Sequence, residues 1–210
     1  MIQYKTILKE ASAEQIIDKS RFITYVCPVE SKEEADLFIA GIKAKHKDAT
    51  HNVPAMVIGE KFQIQWASDD GEPQGTSGAP MVQMLVKEGI TNIAVVVTRY
   101  FGGIKLGTGG LVRAYTSSAK LGIEAAGQCE VKDMLVVTTK MDYTYLSKLQ
   151  NYAQNGVFSI EDLIYEDMVK AVLSVEPEER ESLMELLANL TSGSYELVEE
   201  KVELVKVPVI

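Results

Sequence analysis

The segment IAVVVT at residues 93–98 leads directly into RYFGGIKLGTGGLVR at residues 99–113. A continuous run of strand-forming apolar residues is typical of a strand that is buried on both faces. The glycines that follow this strand in the sequence predict a loop. The spacing of the apolar residues after them predicts a helix from about residue 108 to residue 126. The small residues of this helix suit close packing on a sheet, and they are Ala114, Ser118, Ala119 and Gly122. We therefore predict a helix that packs on a sheet containing strand 93–98.

The glycine-rich loop has the composition of an anion-binding site. Glycine lets backbone N–H groups converge on an oxyanion, and the N-terminus of the following helix adds a partial positive charge. Cations come from Arg99, Lys105 and Arg113, and the aromatic pair of the loop resembles a stacking platform for a base. The candidate anion-binding or nucleic-acid-binding residues are Arg99, Tyr100, Phe101, Gly102, Gly103, Lys105, Gly107, Thr108, Gly109, Gly110 and Arg113.

The same loop also has a purely structural interpretation. Its spacing is that of neither a Walker A loop nor a GxGxxG fingerprint. Glycines also permit a sharp turn and close contact between a helix and a sheet, and aromatic residues at a strand end often only pack. In that alternative, the cations pair with nearby acidic residues.

A second loop, DDGEPQGTSGAP at residues 69–80, begins with acidic residues and ends with small and hydroxyl-bearing residues. Its carboxylates can bind a hard cation, accept protons or pair with the arginines of the glycine-rich loop, and we favour the pairing. Thr76 and Ser77 are candidate nucleophiles, but the segment lacks the second glycine of a GxSxG elbow, and a serine before a helix is more often a cap. The supporting residues of the candidate site are His51, Asp69, Asp70, Glu72, Gly75, Thr76 and Ser77.

The two histidines differ in their expected surroundings. His51 begins a predicted strand at residues 52–58, and we expect its imidazole to point toward the two loops. His46 lies at the lysine-rich end of a helix that Ser31 and Glu34 open with a capping box. We expect His46 to act as a cation at the C-terminus of that helix.

Residues 131–210 carry fifteen acidic and only seven basic side chains, so they hold most of the net charge of -9. This asymmetry and the glycine break near residue 127 place a domain boundary near residue 130. The second part alternates as strand 134–141, helix 145–155, strands 157–165 and 168–175, helix 178–190 and strand 196–207. A βαββαβ order of this length predicts a ferredoxin-like fold.

Composition excludes several classes of protein. An apolar fraction of 46% and a charged fraction of 24% are typical of a folded chain, and the acidic balance excludes a basic footprint over the whole molecule. Cys27 and Cys129 lie far apart, so we predict no zinc site and no disulfide framework, with both thiols buried. We predict no metal and no cofactor. Because the sequence shows no signal peptide and no apolar run long enough for a membrane span, we expect a cytoplasmic protein without membrane contact.

The two loop sequences, extended to residues 69–80 and 99–115, resemble the signatures of the Impact family of bacterial YigZ type. The segments KSRFI at residues 19–23 and ATHN at residues 49–52 match as well. The resemblance implies an α+β fold, in which residues 1–130 are similar to the second domain of ribosomal protein S5. Residues 131–210 would be ferredoxin-like and similar to domain V of elongation factor G.

For function, the resemblance implies a protein linked to translation, with RNA or the ribosome as partner. Eukaryotic relatives regulate translation through a separate N-terminal domain, so their mechanism does not transfer to this chain. We rank first a binding module that grips the phosphate of RNA or of a nucleotide between the two loops. An adaptor that binds protein through the acidic second domain follows, and then an enzyme acting on a small phosphorylated or acyl substrate, with a carboxylate of loop 69–80 as base. We favour binding over catalysis and assign no catalytic residue.

Overall fold

The computed structural model describes residues 2–209, which form two compact units. One unit comprises residues 2–131 with residues 206–209, and the other comprises residues 132–205. The elements of the first unit are β1 (Ile2–Ile7), β2 (Ala11–Ile17), β3 (Ser20–Pro28), α1 (Lys32–Lys45), β4 (His51–Ile58), β5 (Ile64–Ala67), α2 (Gly78–Glu88), β6 (Ile93–Tyr100) and α3 (Gly107–Ala126). Strands β1 and β2 were not predicted from the sequence.

The main sheet of the first unit has the strand order β2-β3-β6-β4-β5, and each neighbouring pair is antiparallel. Strand β6 lies at its centre, and its residues 93–99 are buried. On one face Val96 packs in a cluster with Ile39 and Ile42 of α1. On the other face Val97 belongs to the larger core cluster, to which α2 and α3 contribute. The prediction that this strand is buried on both faces is confirmed.

Close packing of α3 on the sheet depends on Gly122. A Cβ atom at this position would lie 2.5 Å from Cγ2 of Thr24 and 3.0 Å from Cγ1 of Val26. The Thr24 hydroxyl donates a hydrogen bond of 2.8 Å to the carbonyl of Ser118 in the same helix. The small residues on this face of α3 therefore hold the glycine-rich loop, which precedes the helix, at a fixed place beside the sheet.

The second unit contains the βαββαβ order that the sequence predicted. Strand β7 (Gln128–Met141) begins in the first unit and continues into the second. It is followed by α4 (Leu146–Gln154), β8 (Ser159–Tyr165), β9 (Val169–Val175), α5 (Arg180–Thr191) and β10 (Tyr195–Pro208). Single 3-10 turns at Tyr143–Tyr145 and Pro177–Glu179 precede the two helices.

In the second unit, β10 pairs with β7, and β9 lies between β7 and β8 in antiparallel register. Leu149 of α4 and Leu183 and Leu187 of α5 are buried against this sheet. Mixed helices and antiparallel sheets confirm the predicted α+β class. Among the described residues, no helix is long and apolar enough to cross a membrane.

Candidate functional site

A buried ion pair joins the two loops of the predicted site, residues 69–80 and the glycine-rich loop at residues 99–113. Arg99 stands near the end of β6, opposite His51 of β4 and Phe22 of β3 in the sheet register. Its Nη1 donates a hydrogen bond of 2.7 Å to Oε1 of Glu72 in loop 69–80. The side chains of Arg99 and Glu72 are only 5% and 4% exposed, so this pair is almost fully shielded from water. The expected pairing of a loop carboxylate with an arginine is thus present.

Tyr115 of α3 completes the pair and was not among the predicted site residues. Its hydroxyl donates a hydrogen bond of 2.7 Å to the same Oε1 of Glu72. Burial, followed by the hydrogen bond to Glu72, raises the pKa of Tyr115 well above its ordinary value, so Tyr115 remains a neutral donor. A signal was present in the sequence. Tyr115 lies one turn after Leu111 on the buried face of α3, and a buried tyrosine hydroxyl needs a partner.

The second oxygen of Glu72 remains open to a donor. Nε2 of His51 lies 3.7 Å from Oε2, which is beyond hydrogen-bond distance. Nδ1 of His51 is 2.8 Å from the carbonyl oxygen of Asp70. His51 therefore points toward the loops as predicted.

The guanidinium of Arg99 is internal rather than at the surface, which changes the role predicted for it. Nη2 donates to the Ser20 hydroxyl at 3.2 Å, and the guanidinium carbon lies 5.4 Å from the ring centres of both Phe22 and Phe101. Its charge is already balanced by Glu72. Nε is buried and has no hydrogen-bond partner among the described residues. Arg99 therefore positions the loops instead of presenting a free cation.

Asp69 organises loop 69–80. Its Oδ1 accepts hydrogen bonds from the hydroxyl and the N–H of Ser77 and from the N–H of Gly78, and Oδ2 accepts from the N–H of Gly75. Burial opposes ionisation, but these hydrogen bonds together lower the pKa of Asp69 below its ordinary value. The carboxylate of Asp69 thus caps the N-terminus of α2.

The hydroxyl groups of this loop also have internal partners. Ser77 stands at the N-cap of α2, but its side chain makes no capping hydrogen bond and donates to Asp69 instead. The expectation that Ser77 itself caps the helix is therefore wrong. Thr76 is buried and donates to the carbonyl of Pro73 at 2.6 Å. Both hydroxyls hold the loop.

Asp70 connects loop 69–80 to α1 rather than to an arginine. Oδ1 lies 2.7 Å from Nζ of Lys43, and Oδ2 accepts a hydrogen bond of 2.6 Å from the N–H of Asn52. The backbone of Asp70 has a positive φ of 47°, a strained conformation for a non-glycine residue. These contacts fix the turn that brings Glu72 to Arg99.

Glycine is required at two kinds of position in the glycine-rich loop. Gly102 passes so close to the turn between β2 and β3 that a Cβ atom would lie 2.0 Å from the carbonyl carbon and oxygen of Lys19. Gly103 and Gly107 have positive φ values of 87° and 71°. Gly109 and Gly110 lie in the first turn of α3.

The N-terminus of α3 is uncapped. Leu106 occupies the N-cap position and its side chain makes no capping hydrogen bond, and the first turn holds no acidic residue. The first N–H groups of a helix and its dipole favour an anion at such an end. Arg113 does not line the pocket described below, but its side chain reaches back over this turn, with Nη1 3.6 Å from the place of a Cβ atom on Gly109.

A pocket of about 330 Å³ opens between the two loops. Glu72 and Arg99 lie at its inner end, Lys105 precedes α3, Thr108 lies in the first turn of α3, and Phe101 is 47% exposed. Lys105 is exposed and has no acidic partner among residues 2–209. The lining residues are Glu72, Pro73, Arg99, Phe101, Lys105, Leu106, Gly107, Thr108 and Leu111. The pocket thus combines an apolar wall, a carboxylate oxygen and a positively charged rim.

Tyr100 lies on the other face of the sheet from Phe101, so the two residues do not form one stacking platform. Its hydroxyl is 2.9 Å from Nδ1 of His46 at the end of α1 and also donates to Asp48. Nε2 of His46 is 2.8 Å from the Tyr25 hydroxyl. Burial, and then the charge of Lys45, lower the pKa of His46 below its ordinary value. The predicted role of His46 as a helix-terminal cation is therefore wrong at neutral pH.

We expect this histidine to make the first unit sensitive to weak acid. Because its folded-state pKa lies below the ordinary value of 6.5, the unfolded chain takes up the proton first. The contribution of His46 to stability is therefore lost as pH falls from 6.5 to the folded-state pKa, and this contribution does not change further below that pKa. Thermal unfolding followed by the fluorescence of Trp66, the single tryptophan, is the measurement. The variant His46→Gln should lose less stability between pH 7.5 and pH 5.5, and an equal loss in both proteins would contradict the assignment.

The described residues contain no group of three or more potential ligands that could hold a metal ion. Cys129 is buried, whereas Cys27 is only partly buried, so the expectation for Cys27 is corrected. Burial raises the pKa of both thiols. These cysteines are therefore less reactive than an exposed thiol.

Comparisons with known proteins agree with these motifs. The Impact N-terminal domain matches residues 18–123, and a domain of unknown function, DUF1949, matches residues 139–194. The chain is 42% identical over 196 residues to "IMPACT family member YvyE" of Bacillus subtilis, covering 93% of this chain and 90% of that protein. It is 48% identical over 101 residues to "IMPACT family member YigZ" of Escherichia coli, covering 47% of this chain and 50% of that protein.

A solved structure described as "Crystal structure of an hypothetical protein" is also similar. It has 30% sequence identity and a TM-score of 0.58, over 96% of this chain and all of that one. The similarity therefore includes the fold as well as the loop sequences. With the Impact N-terminal domain spanning the two loops and the pocket, and with relatives along nearly its full length, the chain belongs to the Impact family.

Proposed function

We propose that the first unit is a non-enzymatic binding module that takes the phosphate of a nucleotide, either free or within RNA, at the start of α3. The observation that carries this proposal is the combination of three features in one pocket. These are an uncapped helix N-terminus, the free ammonium of Lys105 and the exposed ring of Phe101. The proposal extends to a role in translation, which the resemblance to translation regulators supports.

Each region of the pocket suits one part of such a ligand. Backbone N–H groups of the first turn of α3 and the lysine at its rim favour a phosphate. An aromatic ring such as Phe101 favours a base, because every base has a face that can stack. The volume of about 330 Å³ is near the lower end of the range for small-molecule sites and suits one nucleotide unit.

The inner end of the pocket supports binding more than turnover. Glu72 is held by Arg99 and Tyr115, and the hydroxyls of Thr76 and Ser77 donate to the loop itself. A nucleophile needs a neighbouring general base, and these hydroxyls instead satisfy structural acceptors. The open oxygen of Glu72 remains available to orient an N–H or O–H group of the ligand.

The proposal predicts a salt-dependent interaction that Lys105 and Arg113 support. We expect Lys105→Ala and Arg113→Ala each to weaken binding of a fluorescent ribonucleotide or a short RNA, and to reduce the salt slope of log K by about one for each phosphate contact removed. Titrations at low and high salt, with inorganic phosphate as competitor, measure this. A free nucleotide and an RNA tested in parallel distinguish the two sources of phosphate.

Lys61→Ala is the matched control, because Lys61 is exposed on the turn between β4 and β5 and has no ion-pair partner among the described residues. Its removal lowers the charge of the protein by the same amount as Lys105→Ala. If all three variants bind equally well, or if binding does not change with salt, the proposed phosphate site is wrong.

A further inference from the structure

A second aromatic group lies behind the pocket, on the face of the sheet that α1 covers. It consists of Tyr25, His46 and Tyr100, and we call it the aromatic cluster. The His46 ring centre is 5.4 Å from that of Tyr25 and 6.1 Å from that of Tyr100. Each of these three residues is half-buried. The pocket thus has a neighbouring surface on which further bases could stack.

Cations border the aromatic cluster. Nζ of Lys45 lies 4.7 Å from the Tyr25 ring centre, and the Arg21 guanidinium carbon lies 6.0 Å from that of Tyr100. Lys47 at the end of α1 is exposed and has no acidic partner among the described residues. Arg21 is held by Glu14, so the lysines carry the available charge.

The turn between β2 and β3 connects this surface to the pocket. Lys19 in this turn is exposed, and its carbonyl lies against Gly102. Gly102 follows Phe101, which follows Tyr100, so the pocket and the aromatic cluster meet at three consecutive residues. Because Phe101 and Tyr100 lie on opposite faces of the sheet, a ligand that reaches both must pass over the turn at Lys19 and Gly102.

The charge along this path is positive although the whole chain is acidic. Along this path, the cations without a carboxylate partner among the described residues are Lys19, Lys45, Lys47, Lys105 and Arg113. The free carboxylates nearby are those of Asp18, beside Lys19 in the turn, and Asp48, which accepts from the Tyr100 hydroxyl. A local excess of cations interleaved with aromatic rings is the pattern that binds a nucleic-acid backbone and its bases.

We propose that the ligand is a single-stranded nucleic acid, with one nucleotide in the pocket at Phe101 and the next crossing Gly102 and Lys19 to stack on Tyr100. This inference rests on the proposed function and extends it, because it names a chain rather than a free nucleotide. A single strand is specified because its bases are unstacked and reach aromatic rings, whereas a duplex keeps its bases paired.

The experiment compares ligands of different length on the full chain. Fluorescence anisotropy with mononucleotides, trinucleotides and hexanucleotides of one base, as RNA and as DNA, gives the affinity and the salt slope. We expect the trinucleotide to bind at least tenfold more tightly than the mononucleotide, with a steeper salt slope. A duplex of the same length should bind more weakly than either single strand.

Variants distinguish the contribution of the aromatic cluster to binding from that of the pocket. We expect Tyr100→Leu to weaken trinucleotide binding by about five- to a hundredfold, the loss of one stacked base, and to leave mononucleotide binding within twofold. Tyr100→Phe is the matched control, because it removes the hydroxyl that bonds His46 but keeps the ring. The surface variant Lys45→Ala should reduce the salt slope for the trinucleotide only, and it tests the path even if Tyr100→Leu does not fold.

The outcomes distinguish the two proposals. The track is the proposed single-stranded path from the pocket at Phe101 to Tyr100 of the aromatic cluster. If mononucleotide and trinucleotide bind with equal affinity and equal salt slope, the track is overturned and the pocket of the proposed function stands. Duplex binding equal to that of the single strand also overturns the track. If no nucleotide or oligonucleotide binds and Lys105→Ala changes nothing, the proposed function fails, and the track fails with it.

Discussion

Replacing Glu72 by alanine is expected to lower the free energy of unfolding of the first unit by about 3–5 kcal/mol. Glu72 balances the charge of Arg99, and both side chains are almost fully buried. Without the carboxylate, a guanidinium remains in the interior with no counter-charge, and the Tyr115 hydroxyl loses its acceptor. Urea denaturation followed by the fluorescence of Trp66 in β5 measures the change within this unit.

Two further variants show whether the lost charge balance is the cause. Tyr115→Phe removes one hydrogen bond and leaves the ion pair, so it should cost only about 1 kcal/mol. Because a buried ion pair can often be replaced by apolar residues of similar volume, the double variant Glu72→Leu with Arg99→Met should be more stable than Glu72→Ala. A loss below about 1 kcal/mol for Glu72→Ala would show that the pair is not shielded as described.

Gly102→Ala is expected to destabilise the first unit by about 3 kcal/mol, the upper end of the range for overpacking. The new Cβ atom would meet backbone atoms of Lys19 at 2.0 Å, and backbone has no alternative rotamer. The turn between β2 and β3 must therefore move, and with it Ser20, whose hydroxyl accepts hydrogen bonds from Arg99 and from the Gly102 N–H. The same urea titration detects the loss.

Gly41→Ala is the matched control for this substitution. Gly41 lies inside α1, and a Cβ atom there has no neighbour within 4 Å. Because alanine favours a helix more than glycine, this variant should gain about 0.4–1 kcal/mol. If Gly102→Ala is as stable as the original protein, the close approach of the loop to the turn is wrong.

Sequence periodicity predicted the long elements well. The helix expected at residues 108–126 is α3 at Gly107–Ala126, and the βαββαβ order of the second part is the order of β7 to β10 with α4 and α5. Strands β1 and β2 were not predicted. Ala11–Ile17 alternates between exposed and half-buried residues and contains small and polar side chains, so its strand character comes mainly from pairing with β3.

Polar contacts at the candidate site were predictable only in part. Residue types indicated that a carboxylate would pair with an arginine, but they did not decide which one. Asp70 instead contacts Lys43, and Asp69 takes the capping role expected for Ser77. The Glu72 contacts to Arg99 and Tyr115 span 27 and 43 residues of sequence. A local sequence pattern carries no information about partners at such separations.

The sequence by itself determined the long helices, the order of elements in the second part, its acidic charge and the two loops that identify the family, because these depend on local composition and spacing. Only the tertiary structure decided that Arg99 is neutralised inside the protein while Lys105 remains free at the rim. It also separated Tyr100 from Phe101 by the sheet. The physical reason is that burial and charge balance are properties of the packed core. Packing brings residues that are distant in sequence into contact, and these contacts determine the partners of each buried side chain.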